Sequence, residues 1–155
     1  MKKIIPAFLV ACCATISAFG QEIPGEWTKD FEITLKFSGS MSGGFTDIKF
    51  TYDSCVYTNS GSHSDPTERK FYLLKADDRA AILKKMHELK ADKIKAEHGV
   101  YPVNDGWSQS ICFNSLCIEG GTSVEMDEKN KNRFLDAYRY LEDFASNHAK
   151  KKLSI

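Results

Sequence analysis

The residues best suited to chemistry in this chain are its five cysteines and four histidines, and Cys55, Cys112 and Cys117 frame the main alternatives. Cys112 and Cys117 enclose Phe113-Asn114-Ser115-Leu116, a spacing open to a structural bridge, a redox pair or half of a metal site. Zinc needs four ligands, and a lone C-x4-C without a second Cys/His pair at ligand spacing does not supply them. A redox dithiol favours two intervening residues and a helix N-terminus or cation that lowers the thiol pKa. Neither stands beside these cysteines in the sequence. Redox exchange at Cys112 and Cys117 therefore stays as an alternative, because an exposed bridge is the more easily reduced kind.

The bridge itself follows from strand geometry. A two-residue turn at Asn114-Ser115 pairs Phe113 with Leu116, Cys112 with Cys117 and Ile111 with Ile118. The cysteines then fall at a non-hydrogen-bonded position, where opposing side chains come closest. Ile111, Phe113, Leu116 and Ile118 share the other face, which must be the buried one, so both sulfurs point outward. A Cys112–Cys117 disulfide is predicted, worth about 1–2 kcal/mol because so short a loop constrains the unfolded chain little.

The remaining candidates have structural readings. Cys55 and His63 as nucleophile and base would have to lie within hydrogen-bond reach. Alternation places Cys55 on a buried face, as a structural thiol, and His63 in a polar loop that reads as disordered. His87 falls among charged residues on a helix face and has no predicted role. His98 opens a loop without ligand-type neighbours, and His148 ends an apolar helical stripe as a packed edge residue. Asp77-Asp78 reads as a helix start and Glu142-Asp143 as a helix surface. The glycines of "SGSMSGG" do not lead from a strand into a helix and so form no phosphate loop. No catalytic residue, cofactor or metal ligand is predicted, and the chain reads as a non-enzyme.

The elements that position these groups follow from periodicity. Phe31 to Phe37 alternates, Ser38 to Gly44 is a loop, and Ile48, Phe50 and Tyr52 alternate again. A turn at Asp53-Ser54 sets Tyr52 opposite Cys55 and Phe50 opposite Tyr57. After a loop from Thr58 to Thr67, "ERKFYLLK" is a fourth strand. From Asp77 the period becomes helical through Ala80, Leu83 or Ile82, Met86, Leu89 and Ile94, with Lys90, Lys93 and Lys95 toward the helix end. The loop "EHGVYPVNDGW" and the cysteine hairpin follow. A second helix starts at about Asp127 and carries Phe134, Ala137, Tyr138, Leu141 and Phe144 or Ala145. The order ββββ-α-ββ-α predicts an α+β domain: an antiparallel sheet of about six strands with two helices packed on one face.

Met1-Lys2-Lys3, the uncharged stretch Ile4 to Phe19 and the small residues before Gln21 predict a signal peptide over residues 1–20, followed by a single domain over 21–155. The product is expected in the periplasm or outside the cell, where disulfides persist. A competing motif, Leu9-Val10-Ala11-Cys12, would instead attach lipid at Cys12 and tether an envelope component to a membrane, the only membrane association expected. Cleavage after Gly20 removes two lysines and no acid, turning the net charge of +0 to −2. Near-neutrality argues against nucleic acid as partner, and Lys150-Lys151-Lys152 reads as a solvated helix end. The partner class implied is another protein, met through the loops Ser38 to Gly44, Thr58 to Thr67 and Gly99 to Trp107. Met41, Tyr101 and Trp107 are the candidate contact residues, since aromatics on loops are enriched in recognition surfaces; the competing reading, favoured by the size of these side chains, folds Tyr101 and Trp107 back to plug the sheet edge. An inhibitor or an immunity-type protein fits that description.

Overall fold

The computed structural model describes residues 23–39, 43–99 and 106–151. The alternating segments form six antiparallel strands: β1 (Ile33–Gly39), β2 (Phe45–Phe50), β3 (Ser54–Ser60), β4 (Glu68–Leu73), β6 (Trp107–Phe113) and β7 (Leu116–Gly121). Two short strands, β5 (Glu97–His98) and β8 (Val124–Glu125), make a separate ribbon. The large sheet runs β4-β3-β2-β1-β6-β7, so the two hairpin systems join where β1 pairs with β6. Helices α1 (Ala76–Leu89) and α2 (Glu128–Lys151) complete an α+β domain in the predicted element order.

Alternation decides which face is covered. Ile33, Leu35, Ile48, Phe50, Cys55, Tyr72, Ile111, Phe113 and Ile118 all fall on one face and are buried. Ile82, Leu83 and Met86 of α1 and Phe134, Ala137, Tyr138, Leu141 and Ala145 of α2 bury their stripes in the same core. The N-terminal segment joins it through Ile23, Trp27 and Phe31. There the Trp27 indole N–H donates to Phe31 O at 2.8 Å, and His87 Nε2 lies 3.0 Å from Pro24 O. His87 thus tethers this segment to α1, a role its charged surroundings did not suggest.

The cysteine hairpin adopts the predicted register, Phe113 to Leu116, Cys112 to Cys117 and Ile111 to Ile118. Asn114 takes a left-handed φ of 52°, which asparagine tolerates. Its amide donates to Glu32 O and its side-chain oxygen accepts from Glu32 N, so the turn is anchored to the entry of β1.

Three expectations are corrected. The β2–β3 turn occupies Tyr52-Asp53, so Phe50 faces Cys55 and Ile48 faces Tyr57. Thr51 decides this: its N–H donates to Ser54 O, and its hydroxyl oxygen accepts from Ser54 N. A two-residue shift leaves the faces unchanged, so Cys55 is still buried. The first helix ends at Leu89, where Lys90 turns left-handed at φ 51°, and a 3₁₀ turn, Ala91–Lys93, precedes the buried Ile94. The loop holding His63 is organised: Ser60 Oγ donates to Ser62 O at 2.6 Å, and Asp65 N donates to Ser62 O at 3.2 Å.

Candidate binding end of the sheet

Antiparallel connections alternate between the two ends of a sheet. The β1–β2, β3–β4 and β5–β6 connections therefore emerge at one end, and the turns at Tyr52-Asp53 and Asn114-Ser115 at the other. Gly39 faces Trp107 across β1 and β6, and Phe45 faces Ser60 across β2 and β3. The described ends of the three loops read from sequence as recognition elements thus meet at one edge of the sheet.

Close backbone approach holds that edge together. Gly39 N donates to Gly44 O at 2.9 Å. A Cβ on Gly43, whose φ is 67°, would run into the His63 ring, and one on Gly44 would stand 2.6 Å from Gly61 O. Glycine is required at both positions so that the β1–β2 loop can nest against the β3–β4 loop. Behind them, Thr46 Oγ1 donates to Asn59 Oδ1 at 3.0 Å. On the other side, Thr122 N donates to Trp107 O at 3.0 Å, and Gly99 N donates to Ser123 O at 2.7 Å.

Two large apolar side chains stand open here, Trp107 at 42% and Phe45 at 37% exposure. Trp107 borders a groove of about 400 Å³ whose apolar walls include Val124, Met126, Phe134 and Leu135, with Lys131 and Glu125 at its rim. Phe134 lies directly on Gly120, where an added Cβ would come within 2.5 Å of its ring. Met41 and Tyr101 lie outside the described residues, as do the leader and Cys12. Phe45 was not singled out in the sequence. The signal was available, since its position after Gly43-Gly44 begins a strand at a loop edge.

The cysteines separate as geometry demands. Cys112 and Cys117 form a disulfide with Cα atoms 4.0 Å apart, at the opposite end of the hairpin from Trp107. Both sulfurs belong to the face without helices. Cys117 is exposed and Cys112 half-buried. Cys117 also lines a groove of about 370 Å³ with His98 and with Lys95, a cation that only the fold brings near it. His98 Nε2 lies 3.2 Å from Glu119 Oε2.

Cys55 is a buried free thiol facing Tyr72 across β3 and β4. Burial pushes its pKa up to about 12, against a smaller lowering by the Tyr72 hydroxyl. His63 is beyond the far end of β3, and the five residue steps from Cys55 to Ser60 alone span about 17 Å, so the structure does not assemble this pair. His148 packs between Tyr72 and Phe144, its Nδ1 2.8 Å from Phe144 O. Among the described residues, no group of three or more His, Cys, Asp or Glu could hold a metal ion. No helix among them is long and apolar enough to cross a membrane.

Fold and site together define an α+β domain with one sheet face that no helix among the described residues covers and a loop-built end. No family model and no curated protein matches the chain.

Proposed function

We propose that the chain is an exported, non-enzymatic protein that binds another protein through the loop end of its sheet, in the manner of an inhibitor or an immunity-type protein. The observation that supports this most directly is that the described ends of the β1–β2, β3–β4 and β5–β6 connections meet at one edge of the sheet, with Trp107 and Phe45 exposed there. An exposed aromatic beside a preformed groove, as Trp107 is, is the usual kind of interface anchor, while Phe45 stands at the same end on the other face of the sheet. The disulfide Cys112–Cys117 is consistent with an oxidising compartment. Affinity capture from a native cell-envelope extract tests the reading. Trp107→Ala and Phe45→Ala are expected to abolish a captured band that Cys112→Ala/Cys117→Ala retains; capture that survives both aromatic substitutions refutes it.

A second reading, thiol–disulfide exchange at Cys112 and Cys117, draws support from the exposure of Cys117 and from Lys95 and His98 in its groove. Trapping with a thiol alkylating agent after incubation in a glutathione buffer separates the two. A structural bridge stays closed, whereas an exchanging one gains two alkyl groups.

A further inference from the structure

We propose that β4 is a self-pairing edge, and that two copies of this chain join antiparallel through it about a twofold axis, making one continuous twelve-stranded sheet. The opposite edge, β7, is flanked by residues 94–98 and by β8. β4 is the other terminal strand of the sheet, and among the described residues no strand pairs with its outer side. Among the described residues it also carries the two most exposed large apolar side chains, Leu73 at 70% and Phe71 at 50%. Both lie on the face without helices, and Phe71 continues onto Val56 across β3. An edge with open apolar residues is a template for another strand unless charge, proline or a bulge blunts it. Its charges, Glu68, Arg69 and Lys70, are confined to the first half of β4, and Lys70 Nζ is held 2.8 Å from Glu68 Oε1.

The backbone dictates which residues offer hydrogen bonds outward. Leu74 N donates to Asp53 O at 3.0 Å, which makes their positions a hydrogen-bonded pair. In the same register Tyr72 and Lys70 also turn their backbone groups toward β3, by alternation. Arg69, Phe71 and Leu73 therefore direct theirs to the free side.

A second copy can meet those groups in several antiparallel registers, and charge selects among them. Centring on Lys70 sets two lysines face to face, centring on Arg69 opposes two arginines, and centring on Tyr72 sets Arg69 against Lys75. Centring on Phe71 opposes no like charges. It places Phe71 against Phe71 of the second copy, Arg69 against Leu73 and Lys70 against Tyr72. All the outward backbone groups of Arg69, Phe71 and Leu73 then find partners. Aromatic cross-strand pairs are among the stabilising kind. A twofold contact through one edge also closes on itself, so pairing stops at two copies and forms no fibre.

Sedimentation of the purified chain from about 1 µM to about 1 mM is expected to show a monomer–dimer equilibrium. Two substitutions at the exposed Leu73 then test the register. Leu73→Glu faces Arg69 of the second copy and keeps or tightens the dimer, whereas Leu73→Arg opposes two arginines twice over. The latter weakens dimerisation by about tenfold or more, since like charges directly opposite destabilise a strand pair and the twofold repeats the clash. Circular dichroism confirms that each variant is folded. A wild-type monomer across the whole range overturns the proposal, as does equal dissociation by both substitutions, which would mark an unspecific apolar contact.

Discussion

Cys55 shows how burial converts a reactive side chain into an inert one. Its neutral thiol is favoured in the folded chain up to pH about 12, while in the unfolded chain it ionises near its ordinary value of 9.0. The folded state therefore holds the proton that the unfolded state gives up. The stabilisation is complete below pH 9.0 and is lost as pH rises from there toward 12. Tyr72 and Tyr138, both raised by burial, lengthen the decline at higher pH. Urea titrations are expected to show stability falling above pH 9 by about 1.4 kcal/mol per unit from this thiol alone. Cys55→Ala lowers stability at pH 7 and flattens that slope. Native protein at pH 8 is expected to resist iodoacetamide and to gain one alkyl group only on unfolding. Gly120 is a second residue whose role is spatial: Gly120→Ala drives a methyl into the Phe134 ring. Overpacking of this kind costs about 1–3 kcal/mol, a melting temperature lower by roughly 4–10 °C in calorimetry.

Among the elements, the cysteine hairpin is held mainly by its faces and turn. Ile111, Phe113 and Ile118 are buried, and Asn114 is tied to Glu32. The disulfide closes a sequence separation of only 5 residues. Replacing both cysteines with alanine should thus cost only about 1–2 kcal/mol, with far-UV circular dichroism unchanged and a single cooperative urea transition moved to lower concentration. A larger loss, or a loss of sheet signal, would show that the bridge creates the register. This hairpin was legible in the sequence because its inward residues and its two-residue turn demand the same pairing. The β2–β3 hairpin was legible only to within two residues. Alternation fixes the face, and moving a turn by one position keeps every side chain on its side. The choice fell to the Thr51 hydroxyl and its bonds to Ser54, which periodicity does not report. The end of α1 was misread for a related reason. Ile94 stands five residues beyond Leu89, off the three- and four-residue spacing of the stripe, and is buried because it reaches the core from beyond a left-handed Lys90. The ordered β3–β4 loop was read as disordered because its serines bond to nearby backbone rather than to a core. Of the proposed binding end, Trp107 was legible as a loop aromatic and Phe45 could have been, from its place after Gly43-Gly44, but the groove against α2 needed the fold.

At the scale of the whole molecule, the two ends of the sheet divide the labour. One end is fastened by tight turns and by the Asn114–Glu32 contacts, and the other is built from nested loops with Trp107 and Phe45 open. The helix-free face carries the disulfide outward. This arrangement suits a chain that meets an oxidising solvent, and the proposed export makes a prediction about mass that needs no knowledge of the partner. If the leader is cut after Gly20, the mature protein begins at Gln21 and keeps three cysteines, Cys55, Cys112 and Cys117. Intact mass spectrometry of protein from its native host, under non-reducing conditions, should give the mass of residues 21–155 less two hydrogens for the bridge. Denaturing alkylation without reductant should add one group, at Cys55, and alkylation after reduction three. Cleavage before Cys12 would instead leave Cys12 and Cys13 in the product and add the mass of a lipid, turning the molecule into a tethered component of the envelope. The full-length mass with all five cysteines free would overturn export altogether, because neither the leader nor an oxidising compartment would then have acted on the chain.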